Sequence, residues 1–285
     1  MLTILFLGDV VGEPGRSAVI GRLPELKEQH RIDFTIVNGE NAAGGRGITP
    51  KITIDLLRAG VSVITSGDHI WDQKEIISFI NTEPRLLRPI NYPEGAPGSG
   101  SIVLETAKGK VGVINVQART FMLPILENPF RALDAAVDQM RKETSIIVVD
   151  VHGETTSEKI AIGRFLDGRV SAVIGTHTHV QTADEQIFAG GTAFMCDAGM
   201  CGPIESILGR AIEPIVNRFI RNMPAPFPVA KGEVRLRGAL IEADETSGRA
   251  LRIVRVDELA PSPPKSAPAE EPDEDKQRRV NLEPR

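Results

Sequence analysis

The chain is poor in cysteine, with two in 285 residues, Cys196 and Cys201. That is too few for a disulfide framework and points to a reducing cytoplasm, with both thiols expected to be buried as small hydrophobes. Long hydrophobic runs are also missing, since none approaches the roughly 18–20 residues that span a bilayer. The apolar stretch Met1–Leu7 has no basic region and meets Gly8-Asp9 at once, so it reads as a first strand and not as a signal peptide. There is no basic excess. Thirty-three lysines and arginines against 38 acids leave −5, which gives no global attraction for nucleic acid or an anionic membrane. No repeat occurs at solenoid or propeller periods. A Gly-x-x-x-x-Gly-Lys-Ser/Thr phosphate loop is absent, Gly8, Gly12 and Gly15 miss the dinucleotide-binding spacing, and no Gly-x-Ser-x-Gly elbow supplies a serine nucleophile.

What the chain does have is 41% hydrophobic residues, enough for one large or two small cores. The segment Pro261–Arg285 holds six prolines, six acids and five bases but only four apolar residues. It buries too little to offset its chain entropy and is expected to be a disordered tail. The expected division is a folded body over 1–258 and a proline- and charge-rich tail over 259–285. Within the body, Leu2–Leu7, Asp33–Asn38, Val61–Ser66, Val111–Gln117, Ser145–Val151 and Val170–Gly175 read as strands. The early ones are continuously apolar, as in strands covered on both faces. Glu233–Ala243 and Leu251–Val256 add strands near the C-terminal end. Thr49-Pro50 and Asn128-Pro129 place a cap before a proline at a helix start, the second opening a stretch to Glu143. Asp72 and Glu75 have capping-box spacing, Ser157 opens a helix to Leu166, and Pro24 should break or kink the first helix. This βαβα order, followed by a strand-rich third, predicts an α/β layered fold with mixed sheets.

The polar residues at the strand ends carry the chemistry. Successive apolar runs end in Gly8-Asp9, Asn38-Gly39-Glu40-Asn41, Ser66-Gly67-Asp68-His69, His152-Gly153-Glu154 and Thr176-His177-Thr178-His179. Carboxyl ends of parallel strands share one rim, where ligands bind in open α/β sheets. Four of the five histidines lie there, and the fifth, His30, reads as solvated. If the backbone at 177–179 is extended, both imidazoles face one way. Each residue also has a plainer reading: Asp9 as a helix cap, Glu40-Asn41 as turn residues, His152 as a satisfied core histidine. Their coincidence at five strand ends favours a metal site. Imidazole, carboxylate and carboxamide suit iron, manganese or zinc. Seven donors exceed what one tetrahedral ion needs, so two ions are expected, as in sites where they sit roughly 3.5–4 Å apart.

Gly8-Asp9, Gly67-Asp68-His69 and Gly175-Thr176-His177-Thr178-His179 resemble the blocks of calcineurin-like metallophosphoesterases. The stretches Leu5–Arg16, Asn38–Gly47, His69–Asp72, Leu87–Pro93, Asp150–Lys159, Asp167–Glu185 and Asp197–Pro203 are closer to one subfamily, the YmdB-like bacterial phosphodiesterases. The resemblance implies a four-layer αββα sandwich with a di-metal centre, iron in the best-known relatives, at the strand C-terminal ends. It implies Asp9, Asn41 and His179 on the first metal, Asp68, His152 and His177 on the second, and Glu40 bridging both. His69 would be the proton donor. Asp68 stands where the family usually has asparagine, and Cys201 where threonine is expected.

The expected activity is hydrolysis of phosphodiester bonds, those of cyclic nucleotides above all. A hydroxide bridging the ions would attack phosphorus in line, and His69 would protonate the departing alkoxide. Asp72 reads as a helix cap or as a carboxylate orienting His69, and Arg46 and Arg119 as phosphate contacts or surface residues. The alternative is a metal-dependent nucleotide sensor with little turnover. A cytoplasmic chain with no membrane partner, no strong nucleic-acid signal and possible self-association completes the expectation.

Overall fold

The computed structural model describes residues 1–260. The first part of the chain forms β1 (Leu2–Leu7), β2 (Asp9–Val10), α1 (Gly12–His30), β3 (Phe34–Asn38), α2 (Pro50–Arg58), β4 (Val63–Thr65) and α3 (Ile76–Phe79). Then come β5 (Ser101–Thr106), β6 (Gly109–Gln117), α4 (Pro129–Met140), β7 (Ile146–His152), α5 (Thr156–Phe165) and β8 (Ala172–Thr176). The remainder forms β9 (Gln186–Ile187), β10 (Ala193–Met195), β11 (Met200–Pro203), α6 (Ile212–Arg221), β12 (Val234–Ala243) and β13 (Ala250–Ala260). The final strand thus runs two residues past the expected boundary at 258, and the rest of the expected tail lies outside the described residues.

Two sheets result, ordered β2-β11-β12-β1-β3-β4, with β13 paired to β12, and β5-β6-β7-β8-β10-β9. Both are mixed. β1, β3 and β4 run parallel, while β12 inserts antiparallel beside β1. β6, β7, β8 and β10 are parallel, and β5 is an antiparallel edge. Parallel pairing brings Leu7, Asn38 and Thr65 to one rim of the first sheet, and His152 and Thr176 to one rim of the second.

The continuous apolar runs are explained by burial on both faces, with a period of two. Leu2, Ile4, Phe6 and Ile36 of the first sheet share a core with Val111, Val113, Ile146, Val148 and Ile174 of the second. The intervening residues face the other way: Leu5, Leu7 and Val37 join Val19, Leu23 and Leu26 of α1 and Leu56 of α2. Ile147, Val149 and Val173 join Leu133 and Val137 of α4 and Ile162 of α5.

Helix starts follow their caps. Thr49 Oγ1 accepts from Ile52 N at 3.3 Å, and Asn128 Oδ1 from Phe130 N at 2.9 Å, each ahead of the proline. The helix at Asn128 ends at Met140, short of Glu143. The expected capping box fails, and of the break or kink expected at Pro24 the break does not occur. Pro24 does not break α1, which continues through it to His30. Pro24 and Ile20 both lie on the exposed side of the helix, so water can satisfy the Ile20 carbonyl that proline leaves without a donor. Asp72-Glu75 is not a capping box either, because the short α3 begins at Ile76 with no side-chain cap. Both cysteines are buried as expected, and burial pushes the Cys201 thiol up to about 12. Among the described residues no helix is long and apolar enough to cross a membrane.

Replacing Pro24 by alanine restores an exposed main-chain hydrogen bond. The Pro24→Ala variant is expected to be more stable by about 1–3 kcal/mol, read from the midpoint of urea denaturation. An unchanged or lowered midpoint would mean that the proline's rigidity in the unfolded chain outweighs the lost bond.

Candidate metal centre

The two rims meet, and each sheet delivers a different chemistry. Asp9 follows β1, Glu40 and Asn41 follow β3, and Asp68 and His69 follow β4, so the first sheet supplies acids, an amide and one histidine. His152 ends β7, and His177 and His179 follow β8, so the second supplies imidazoles. All seven expected donors come together. Glu40, Asp68, His152 and His177 offer ligand atoms within 4.8 Å of one another, as do Asp9, Glu40 and His179, with Glu40 common to both groups. Asn41 joins the second group, its Oδ1 lying 3.0 Å from His179 Nε2.

His152 is the focus of the first group. Its Nε2 lies 3.1 Å from Glu40 Oε2, Asp68 Oδ1 and His177 Nδ1 alike. Its other nitrogen, Nδ1, is 2.9 Å from Thr176 Oγ1, whose hydroxyl donates to Asp150 Oδ1 at 2.8 Å. Thr176 therefore accepts from Nδ1–H, which fixes the tautomer and aims the Nε2 position at the acids. This is the outer-shell arrangement common behind metal-ligating histidines. Asp150 is fully buried and accepts from Asn38 Nδ2 at 3.0 Å and from Thr65 Oγ1 as well. Neither Asp150 nor Thr176 stands out in the sequence reading, although a carboxylate inside the apolar run Ile146–Val151 was a visible signal.

The histidine pair departs from expectation. The backbone is not extended at 177–179: His177 has φ 97° and His179 φ 64°. Left-handed conformations of non-glycine residues cost on the order of 1–3 kcal/mol each. They turn the two imidazoles into different groups instead of one direction. His177 Nε2 also lies 3.2 Å from Glu154 Oε2, and His179 Nδ1–H donates to Leu208 O at 3.2 Å.

His69 belongs to neither group but touches both chemistries. Its backbone N–H donates to Glu40 Oε2 at 3.4 Å, and its Nδ1 lies 3.1 Å from Asp72 Oδ2. Asp72 is thus an orienting carboxylate, not a helix cap, and Arg46 Nε donates to the same oxygen at 2.8 Å. Arg46 is engaged there, whereas Arg119 lies on an exposed loop after β6. His30, read as solvated, is half-buried at the end of α1 and joins neither group.

The electrostatics ask for a cation. Asp9 and Glu40 are buried, and the ion-pair partners of Asp9, Glu40 and Asp68 among the described residues are histidines. Asp9 Oδ2 accepts from His177 N at 3.1 Å, but Oδ1 is buried with no hydrogen-bond partner. An orphaned buried carboxylate oxygen is expensive unless an ion meets it. Gly67 leaves the necessary room, since a Cβ there would overlap the His152 ring and Glu40 Oε2. The donor set fits metal. Without an ion, burial pushes the Asp9 carboxyl up to about 7. Burial opposes charge on His152, yet Glu40 and Asp68 beside it raise its pKa well above the ordinary value. Burial likewise opposes charge on Asp68 and Glu40, but the imidazoles beside them hold both below the usual carboxylate range.

Comparison with known proteins agrees. A family model described as YmdB-like protein matches residues 5–256. The chain is 48% identical over 255 residues to a Bacillus subtilis protein named 2′,3′-cyclic-nucleotide 2′-phosphodiesterase, covering 90% of this chain and 96% of that one. A solved structure of a hypothetical protein from Thermus thermophilus superposes with a TM-score of 0.85 at 39% identity, covering 91% of this chain and all of that one. The structure of a novel phosphatase from Mycoplasma pneumoniae also reaches 0.85, at 34% identity, covering 92% and 95%.

These shifts set a pH dependence for the metal-free protein. A group whose folded pKa exceeds its unfolded value contributes stability that is complete below the unfolded value and is lost as pH rises through the folded one. For Asp9 that window runs from 3.8 to about 7, for Asp150, raised by burial, from 3.8 to about 6, and for His152 it begins above 6.5. Glu40 and Asp68, being lowered, act only on the acid side, and His179, lowered by burial, works in the opposite direction but only below 6.5. Chelator-treated protein should therefore melt at progressively lower temperature from pH 6.5 to pH 8, by roughly 2–4 °C per kcal/mol lost. Calorimetry showing a flat or rising melting temperature over that range would contradict the assignment.

Proposed function

Since this chain belongs to the YmdB-like protein family, we propose that it is a metal-dependent phosphodiesterase that hydrolyses cyclic nucleotides. Asp9, Asn41 and His179 would hold one ion and Asp68, His152 and His177 a second, with Glu40 on both. The observation that carries this reading is the sharing of Glu40 between two donor groups whose atoms converge within 4.8 Å. A mixed oxygen and imidazole set accepts iron, manganese or zinc, with iron the first choice. The three successive cores, helix on sheet, sheet on sheet and sheet on helix, support a four-layer αββα sandwich as the architecture, and a cytoplasmic setting belongs to the same proposal.

Bound ions would supply Lewis acidity, activating water and offsetting charge on the phosphate. The chain's own contribution is to orient donors and to move a proton. Asp72 beside Nδ1 would orient the His69 ring, and His69 would then protonate an alkoxide leaving group through Nε2. Such leaving groups gain most from an acid, because the parent alcohol is so weak an acid itself. A nucleotide sensor would need the ions but not this His69–Asp72 pair. The negative charge of Asp68, where an amide is usual, adds hold on the second cation.

Purified chain supplied with manganese(II) is expected to open 2′,3′-cyclic AMP to a monoester while holding two equivalents of metal. Undiminished turnover after exhaustive chelation would rule the reading out.

His69→Ala should keep both ions and lose about 10²–10⁴ in turnover of the cyclic nucleotide. On a p-nitrophenyl phosphodiester, whose leaving group departs as a stable anion, the loss should be far smaller. Equal losses on both substrates would make His69 a substrate-positioning residue, and loss of metal would make it a ligand.

A further inference from the structure

Lys159 of α5 is a buried lysine with 1% of its surface exposed, and nothing in the proposed chemistry uses it. Its Nζ donates to Asp197 Oδ2 at 2.9 Å and to the Thr176 carbonyl at 3.3 Å. Asp197, fully buried between β10 and β11, turns the same oxygen to Thr178: it accepts from the Thr178 backbone N–H at 3.1 Å and from its hydroxyl at 2.7 Å. The other oxygen, Oδ1, accepts from Gly199 N at 2.9 Å. Asp197's own main chain is tied to Thr182, whose hydroxyl accepts from Asp197 N at 2.9 Å. Gly175, at the foot of the turn, packs so closely that a Cβ would overlap the Cys196 carbonyl.

Thr178 is the residue between the two left-handed histidines. Both of its hydrogen-bond donors are therefore held, while the residue on either side occupies backbone space that L-amino acids resist. A buried ion pair is a weak source of stability, because desolvation offsets most of the Coulomb gain. Its value here lies in direction. An extended His-Thr-His run would send both imidazoles into one group. Anchoring the middle residue from behind lets the chain reverse twice and divide them.

We infer that Lys159, Asp197 and Thr178 form a positioning device that splits the His177-Thr178-His179 run between the two ions. The inference rests on the two-ion reading. Lys159 and Thr178 touch no reacting atom and act through the histidines.

The test uses the full chain and manganese(II) as the probe, with binding followed by equilibrium dialysis and by electron paramagnetic resonance, and with the melting temperature of the metal-free protein measured in parallel. Thr178→Val removes only the hydroxyl bond. It should weaken manganese binding by about 10–100-fold, the usual effect of removing an outer-shell partner, and should replace the exchange-coupled two-ion signal with that of isolated ions. The metal-free melting temperature should change little, and Thr178→Ser should restore both binding and signal. Lys159→Gln, which loosens the clamp from the far side, should shift binding the same way and decides the matter if Thr178→Val does not fold. Wild-type manganese affinity and coupling in both folded variants would overturn the inference while leaving two bound ions in place. Failure of the wild-type chain to bind manganese or any other ion would overturn the two-ion reading, and this inference with it.

Discussion

Charge buried without a permanent counter-charge is the constraint on which the rest of the structure turns. Asp9, Glu40 and Asp68 crowd together where their only ion-pair partners among the described residues are imidazoles. In the metal-free chain a proton on His152 is the main relief, which is why its pKa rises against the effect of its own burial. That relief is incomplete: Asp9 retains an oxygen with no partner. Such a site is unfavourable in an empty protein and favourable around cations, so what destabilises the apoprotein is what binds metal.

The two-sheet architecture makes that crowding possible. Neither sheet alone carries a complete site: one rim brings the acids and the amide, the other the imidazoles, and the shared core of Ile4, Phe6, Val113, Val148 and Ile174 holds the rims face to face. Close approach then depends on residues without a side chain. A Cβ at Gly67 would fill the space between His152 and Glu40, and one at Gly8 would overlap the Gly199 carbonyl beside Asp9. Bound ions would therefore link one sheet to the other, and metal binding should tighten the seam between them and not merely one loop.

Strand content and rim were legible because burial on both faces leaves a continuous apolar run and the polar residue after it marks the end. The donors at 9, 40, 41, 68, 152, 177 and 179 all follow this rule. What escaped the sequence is what depends on the third dimension. That α1 continues through Pro24 could not be read until the exposed side of the helix was known. Asp72 could not be moved from a cap to a partner of His69 by spacing alone, since a turn and a helix start look the same over four residues. The left-handed backbone at His177 and His179 flanks Thr178, whose partner Asp197 is far along the chain and appears in sequence only as a carboxylate before a turn. Asp150 was the one missed residue with a local signal, a charge in a strand whose neighbours are all apolar.

His69 differs from the candidate donors around it in what holds it. Asp68 and His69 share the turn after β4, but Asp68 faces the imidazoles of the second sheet, whereas His69 belongs to neither donor group. Its main chain refers to Glu40, the carboxylate common to both donor groups, and its ring refers to Asp72. Under the proposed reading, this backbone bond to Glu40 would set the distance between a proton donor and the ions. The His69 ring lies beside Asp72, whose carboxylate Arg46 also holds. On that reading the fold sets the buried carboxylate cluster apart from the histidine that would meet the substrate.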